Sequence, residues 1–290
     1  MSNPTLTYET ATGEIKYPLR VDFVFHYTLQ RSMGALKNLV CSLKGIDPND
    51  VKSIVVMNPI DFNSNAKETI MDLKLTLNNN EIINIELQMY VDEFWGPRSI
   101  LYLCRAYDSI SEGDDYSQLK PTTHICITDQ DIIKGSDEFY SHYLLLNTQN
   151  HIPYSTDFGL NMLQLNHIDK ATDEDVKNGL VYWAQLFKAD TWEQFKALAD
   201  GNEFIEEVGT LIFELNYDNQ AKEIMEGRRR YREQLATSYA SGKIDGEKAG
   251  EEKAAQKFIP IIAEKDAALA NKDATIAELQ ARVQELESQR

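Results

Sequence analysis

Two acidic side chains, Asp72 and Glu86, lie fourteen residues apart on two runs that alternate between apolar and polar residues. Apolar residues fill every second position of both runs, and an Asn-rich turn separates them. This alternation predicts a β-hairpin over residues 70–90 with one apolar and one polar face. Both carboxylates fall on the polar face.

The register of this hairpin decides whether the two carboxylates meet. Directly opposed residues of an antiparallel pair share a face, so matching the polar faces requires a turn of odd length. The simplest turn is a three-residue loop, Asn78-Asn79-Asn80, with one Asn in the left-handed conformation. Asp72 would then face Glu86 across the ladder, with Cβ atoms about 5 Å apart.

Carboxylates at that separation repel each other unless a cation lies between them, and a hard divalent cation prefers such oxygen ligands. The alternative is a solvated polar face on which Lys74 neutralises the pair. The hairpin alone leaves both interpretations open.

Composition limits the function classes. The net charge of the whole chain is −17. Residues 1–227 alone carry −18, from 17 basic and 35 acidic side chains. An acidic body attracts phosphate chains poorly at long range, so a nucleic-acid substrate would require a local basic strip or metal ions. The three cysteines and five histidines are scattered without metal-ligand spacing, which argues against a zinc site and against imidazole-based metal chemistry. No apolar segment of membrane-spanning or signal-peptide type is present, so we expect a cytoplasmic protein with reduced thiols.

The remaining patterns predict an α+β core with a central mixed sheet. Helices are expected from Ser32 to Leu43, with Gly45 as the stop, and from Trp95 to about Ile110. Strands are expected over residues 53–57, 122–128, 140–146 and 160–166. An ordered element begins near Asp22, a candidate helix N-cap, and residues 1–18 read as a flexible arm. Three short helices are expected over 176–187, 192–198 and 204–213, followed by a longer one over 220–239.

Two basic groups lie on predicted helices. Arg98, Tyr102 and Arg105 form one stripe, in which Arg98 either clamps a phosphate or pairs with an acidic neighbour, and Tyr102 either packs or stacks on a base. The triplet Arg228-Arg229-Arg230 is ordinarily a solvated helix face.

The C-terminal segment has two repeats. Gly242, Gly246 and Gly250 recur every four residues, which predicts a flexible joint or close chain packing. A heptad seam follows, with a positions at Ile262, Leu269, Ile276 and Val283 and later d positions at Leu279 and Leu286. Lys265 and Lys272 occupy the earlier d positions, so the seam is strong only in its last two heptads. It predicts a coiled coil and therefore a homo-oligomer, and the alternative is a single solvated helix.

The whole constellation resembles the PD-(D/E)XK nuclease superfamily, and more narrowly the Rpn-type recombination-promoting nucleases or PD-(D/E)XK nuclease family transposases. The matching stretches are D-F-V-F at 22–25, M-D-L-K at 71–74, N-I-E-L-Q at 84–88, R-S-I-L-Y at 98–102 and G-D-D-Y-S-Q-L-K-P at 113–121. The resemblance covers roughly residues 20–250. It implies a restriction-endonuclease-like core over 19–170, a helical region over 171–239, and a hinge with a coiled coil over 240–290.

The resemblance also implies a metal-dependent DNA endonuclease associated with recombination or transposition. Asp72, Glu86 and the backbone carbonyl of Leu87 would hold Mg²⁺ (or Mn²⁺), with Asp22 as a further candidate ligand. The metal would activate a water and polarise the scissile phosphate.

Gln88 stands where the wider superfamily has lysine, whereas glutamine is the usual form in the Rpn-like group. Lys74 is our candidate for the missing positive charge. The alternative function is a catalytically inactive nuclease-fold interaction module, which both Gln88 and the acidic body favour. RNA also stays open as a substrate, because such residues contact phosphates rather than bases.

Overall fold

The computed structural model describes residues 6–60, 72–78, 80–89 and 94–288, and it has the predicted α+β architecture. The helices are α1 Asp22–Leu29, α2 Met33–Lys44, α3 Trp95–Tyr107, α4 Asp173–Lys177, α5 Leu180–Lys188, α6 Trp192–Ala199, α7 Glu203–Tyr217 and α8 Asn219–Ser288. The strands are β1 Ile54–Val56, β2 Leu73–Leu77, β3 Glu81–Leu87, β4 Thr122–Thr128, β5 Tyr140–Leu144 and β6 Phe158–Gln164.

All six strands form one mixed sheet in the order β1-β2-β3-β4-β6-β5. The β3–β4 and β4–β6 pairs are parallel, and the other pairs are antiparallel. Helix α3 is the crossover between β3 and β4, as a parallel connection requires. The fold therefore places α3 close to the strand that carries Glu86.

The predicted hairpin register is confirmed. Leu73 pairs with Ile85 and Leu77 with Glu81, which leaves residues 78–80 as a three-residue loop. Asn78 adopts the left-handed conformation at φ 52°. Residues 70, 71, 79 and 90 of the predicted hairpin lie outside the described residues.

The two faces of the sheet differ in chemistry. One face carries the alternating leucines and isoleucines of β2, β3 and β4, which are buried in one core with side chains of α1, α2, α5 and α7. The opposite face lies under α3, where Trp95 packs on Cys126 and Met162. Its members from β2, β3 and β4 are largely polar, because a strand presents alternate residues to opposite faces.

Several predicted boundaries are wrong for local reasons. Asp22 is the first residue of α1 rather than its N-cap, which is Val21. Helix α3 ends at Tyr107, before Ile110. The helix predicted over 176–187 is two helices, because Gly179 turns left-handed at φ 78° between them. Strand β1 is one residue shorter at each end than the predicted 53–57, and it is an edge strand with Val55 51% exposed.

Residues 7–17 do not form a loose arm. The side chains of Tyr8, Ala11, Ile15 and Tyr17 are buried in the core. The backbone N–H of Tyr17 donates to Asn216 Oδ1 at 2.9 Å, and Asn216 Nδ2 donates back to the Tyr17 carbonyl at 3.0 Å. The segment lacks periodicity because it packs as irregular chain rather than as a helix or strand.

The chain divides into two compact units, one ending at Met225 and the other running from Glu226 to the end. The second unit is the continuation of α8, and the glycines at 242, 246 and 250 lie within this helix. A Cβ added at each of them would have no described atom within 4 Å, so nothing described in this chain packs closely there. The heptad residues are exposed, from 52% at Ile276 to 61% at Leu279. No described helix has the length and apolar character needed to cross a membrane.

Candidate active site

Asp72 and Glu86 lie opposite each other at one end of the β2–β3 hairpin. Asp72 immediately precedes β2, and the register of Leu73 with Ile85, continued by one position, sets it against Glu86. The Glu86 side chain is only 8% exposed. The polar face thus presents two carboxylates that share one buried space.

The side chain of Asn58 fixes the backbone at Asp72. Its Nδ2 donates to the Asp72 carbonyl at 2.7 Å, and its Oδ1 accepts from the Lys74 backbone N–H at 2.9 Å. The amide side chain therefore adds two hydrogen bonds just beyond the end of the β1–β2 pairing. These bonds hold Asp72 at the end of the strand, where no further ladder partner from β1 would restrain it.

Burial and like charge act together on Asp72. Burial, followed by the negative charge of Glu86, raises the pKa of the Asp72 carboxyl to about 6, against an ordinary value of 3.8. The hydrogen bond from Asn84 and the positive charge of Arg98 oppose this rise without cancelling it. Asp72 therefore keeps its proton up to about pH 6, and a cation at the pair would favour its ionised form.

A histidine and an asparagine of adjacent strands complete the buried side of the pair. Asn84 Nδ2 donates to Asp72 Oδ2 at 3.1 Å and lies 2.9 Å from His124 Nδ1. His124 is fully buried, and its Nε2 lies 3.3 Å from Glu86 Oε2. This last contact lacks the orientation of a hydrogen bond, since neither atom has a hydrogen-bond partner among the described residues.

Helix α3 brings its basic stripe to the same pair. Arg98 Nη2 lies 3.7 Å from Glu86 Oε1, which is an ion pair at the long end of the range. The ring of Tyr102 meets that of His124 edge-on, with centroids 6.3 Å apart. Burial and the charges of Asp72 and Glu86 raise the pKa of Tyr102, and the positive charge of Arg105 acts in the opposite direction. The stripe therefore faces the carboxylates at its Arg98 end and solvent at Arg105.

A family model described as PD-(D/E)XK nuclease family transposase matches residues 19–240. The chain belongs to this family. The resemblance read from the sequence is therefore confirmed, and the mixed sheet flanked by helices agrees with the family's α+β fold. No curated protein and no solved structure matches the chain.

The other candidate residues predicted from the sequence lie in different surroundings. Leu87 is buried as the last residue of β3, and the backbone N–H of Gln88 donates to the Ile127 carbonyl at 2.8 Å. Lys74 is half-buried and pairs with Asn84, which places it on the polar face with Asp72. Asp22 lies in the first turn of α1, where its Oδ1 accepts from the Phe23 N–H at 2.8 Å.

The donor set of the pair suits a hard cation. Glu86 is a buried carboxylate, and the Asp72 carboxyl beside it has a pKa raised by burial and by the charge of Glu86, so a cation at the pair would relieve the repulsion between them. The described residues contain no group of three or more His, Cys, Asp or Glu side chains that would hold a metal alone. Two carboxylates fit Mg²⁺, which commonly takes one or two protein carboxylates and completes its shell with water and substrate phosphate.

Sequence reasoning missed His124 and gave Asn84 no role. Their proximity depends on the parallel β3–β4 register, in which Asn84 pairs with His124 and Glu86 with Cys126. Burial, then the charge of Glu86, raises the pKa of the Cys126 thiol well above its ordinary range, so this residue is an inert neighbour. The one available signal was a polar His124 directly before the apolar residues Ile125, Cys126 and Ile127 of a predicted strand, and it did not specify a partner strand.

Proposed function

We propose that the protein is a metal-dependent DNA endonuclease whose centre is the Asp72–Glu86 pair. The carrying observation is that two carboxylates face each other on one buried polar sheet face, where burial and then the charge of Glu86 raise the pKa of Asp72. A fold gains no stability from such a pair, whereas a cation-binding site needs it. The family supports a nuclease, and the pair is where we place its chemistry.

Asp72 and Glu86 would hold Mg²⁺ or Mn²⁺, with the Leu87 carbonyl as a third ligand and Asp22 as a further candidate. When bound, the cation supplies Lewis-acid polarisation of the scissile phosphate and lowers the pKa of a water nucleophile. The surroundings of the pair favour this use, because α3 and the buried face of β4 screen the carboxylates from bulk water. Electrostatic attraction is stronger in such a screened site.

Three side chains would act on the substrate itself. Arg98 reaches the edge of the pair from α3, so its guanidinium can bind a phosphate oxygen while it restrains Glu86. Lys74 shares the polar face and would supply the positive charge that a superfamily lysine provides elsewhere. Gln88, at the end of β3, would orient water or a phosphate oxygen through its neutral amide. Tyr102 and Arg105 would extend the contact along the DNA backbone.

The wider setting belongs to the same proposal. The family description includes transposases, which supports a role in recombination or transposition in the cytoplasm. The exposed heptad residues of α8 support a homo-oligomer joined through this helix. Two linked copies would place two cleavage centres on one DNA.

The test uses labelled duplex DNA, single-stranded DNA and RNA, each with Mg²⁺, with Mn²⁺ and with chelator. We expect cleavage of duplex DNA with either metal, and none with chelator. Preferential cleavage of RNA would change the substrate assignment. A folded protein that binds DNA but cuts none of the three substrates under any condition would favour the inactive interaction module instead.

A further inference from the structure

The strongest unassigned feature of the site is the buried chain of contacts Asp72–Asn84–His124–Glu86. It joins the two carboxylates through the protein interior. Two of its polar atoms, His124 Nε2 and Glu86 Oε2, have no hydrogen-bond partner among the described residues, although they lie 3.3 Å apart. Buried polar atoms without partners destabilise a fold, so a fully buried histidine at this point needs an explanation.

The amide of Asn84 determines which nitrogen of His124 carries the proton. The side-chain nitrogen of Asn84 faces a carboxylate oxygen of Asp72, an arrangement that requires an N–H donor. Its second hydrogen then points at His124 Nδ1, 2.9 Å away, which must accept. A neutral imidazole that accepts at Nδ1 carries its proton on Nε2, the nitrogen beside Glu86.

We propose that His124 is a positioning residue: a small reorientation of the 3.3 Å contact turns its Nε2–H onto Glu86 Oε2 and thereby sets the carboxylate for a divalent cation. The donor occupies one oxygen of Glu86 from the interior and leaves the other side of the carboxylate for the ligand. Asn84 does the same for Asp72 through Oδ2. The inference rests on the proposed function, since it describes how this chain prepares its two carboxylate ligands.

The pairing of strands explains why Asn84 contacts both Asp72 and His124. Asn84 lies on β3 and pairs with Lys74 on β2 and with His124 on β4, so its amide lies between the two neighbouring strands. Outer-shell hydrogen bonds of this kind commonly change metal affinity by about 10- to 100-fold. The ring of Tyr102 contacts the imidazole edge-on, with ring centroids 6.3 Å apart.

The first experiment measures the tautomer in the metal-free protein by nitrogen NMR of the labelled imidazoles. We expect His124 to carry its proton on Nε2 with an acceptor-type Nδ1. A proton on Nδ1 would overturn the proposal, because Nε2 could then offer Glu86 no hydrogen.

The second experiment titrates Mn²⁺ into wild type, His124→Phe and His124→Gln by calorimetry, with melting temperatures as a check on folding. Phe keeps the ring volume and removes the donor, so we expect affinity to fall about tenfold or more with the melting temperature maintained. Gln restores a nitrogen donor and should recover part of the loss, which also covers the case of a Phe variant that fails to fold. His142→Phe, on the exposed part of β5, is the matched control and should bind as wild type does.

The outcomes separate the two claims. If wild type binds no divalent cation, both the proposed function and the positioning role of His124 are overturned. If wild type binds and His124→Phe binds equally well, the positioning role alone is overturned. Magnetic coupling between bound Mn²⁺ and a His124 nitrogen would also overturn it, because His124 would then be a ligand.

Discussion

At the residue scale, the central fact is the raised pKa of Asp72. Its folded value of about 6 lies above the ordinary 3.8, so the folded protein holds this proton more tightly than the unfolded chain. Between these two values the folded state binds more protons, and stability therefore falls as pH rises through this window. Above about pH 6 the full destabilisation is present, and below about pH 4 it is absent.

Replacing Asp72 by Asn should therefore stabilise the metal-free protein. With chelator present, we expect Asp72→Asn to exceed wild type by on the order of 1–3 kcal/mol at pH 7–8, and the difference to vanish near pH 4. Urea unfolding across this pH range measures it. Glu112→Gln, an exposed carboxylate after α3, is the control. Parallel pH profiles for wild type and Asp72→Asn would contradict the electrostatic account.

Lys74 is the second prediction at this scale. Lys74→Met keeps most of the aliphatic stem and removes the charge, so cleavage should fall about a hundredfold, as with other losses of a transition-state donor. The assay is metal-dependent cleavage of duplex DNA, with Lys52→Met as the exposed control. Unchanged cleavage by Lys74→Met would remove Lys74 from the mechanism.

At the scale of elements, the site depends on how the start of β2 is held. Asn58→Ala removes two hydrogen bonds to the Asp72–Lys74 backbone, and we expect a loss of about 1–3 kcal/mol in urea unfolding. Cation binding should weaken as well, since Asp72 loses its backbone restraint. Asn80→Ala, in the exposed hairpin loop, should leave both quantities unchanged. A loss of stability with unaltered cation affinity would show that the clamp does not position Asp72.

The strands and helices differ in how far the sequence could predict them. The β2–β3 register followed from alternation and turn length, because both are local, and the structure confirms it. The position of His124 depended on the parallel register of β3 and β4, which strands distant in sequence establish through core packing. Gly179 divides a predicted helix because it adopts the left-handed conformation. The spacing of apolar residues, on which the prediction depended, carries no information on that conformation. Local pattern thus gave the carboxylate pair, and tertiary packing gave its interior partners.

At the scale of the whole molecule, the exposed heptad residues of α8 predict self-association. Leu279 and Leu286 are 61% and 56% exposed, and a second copy would bury them. The double variant Leu279→Lys with Leu286→Lys should therefore be monomeric in sedimentation equilibrium. Ala274→Lys with Ala281→Lys adds the same charges at f positions of the heptads and should associate as wild type does. If both double variants associate as wild type does, the interface lies elsewhere.

The charge distribution also acts at this scale. The charge of −18 on residues 1–227 opposes the approach of DNA. If the proposed function is right, DNA binding depends on bound cations and on the few basic side chains near the pair. The alternative, an inactive interaction module, would gain nothing from a cation between Asp72 and Glu86. Dependence on metal therefore separates the two functions for the whole protein.

The most direct test is the nicking of supercoiled plasmid by the purified full chain as Mg²⁺ is increased. Wild type and Glu112→Gln should nick at a rate that rises with Mg²⁺ and saturates, whereas Asp72→Asn and Glu86→Gln should show no metal-dependent nicking. Folding of each variant is checked by its melting temperature. Metal-dependent nicking by both carboxylate variants at the wild-type rate would contradict the assignment of the site. Absence of nicking by a folded wild-type protein at every Mg²⁺ concentration would contradict the nuclease itself.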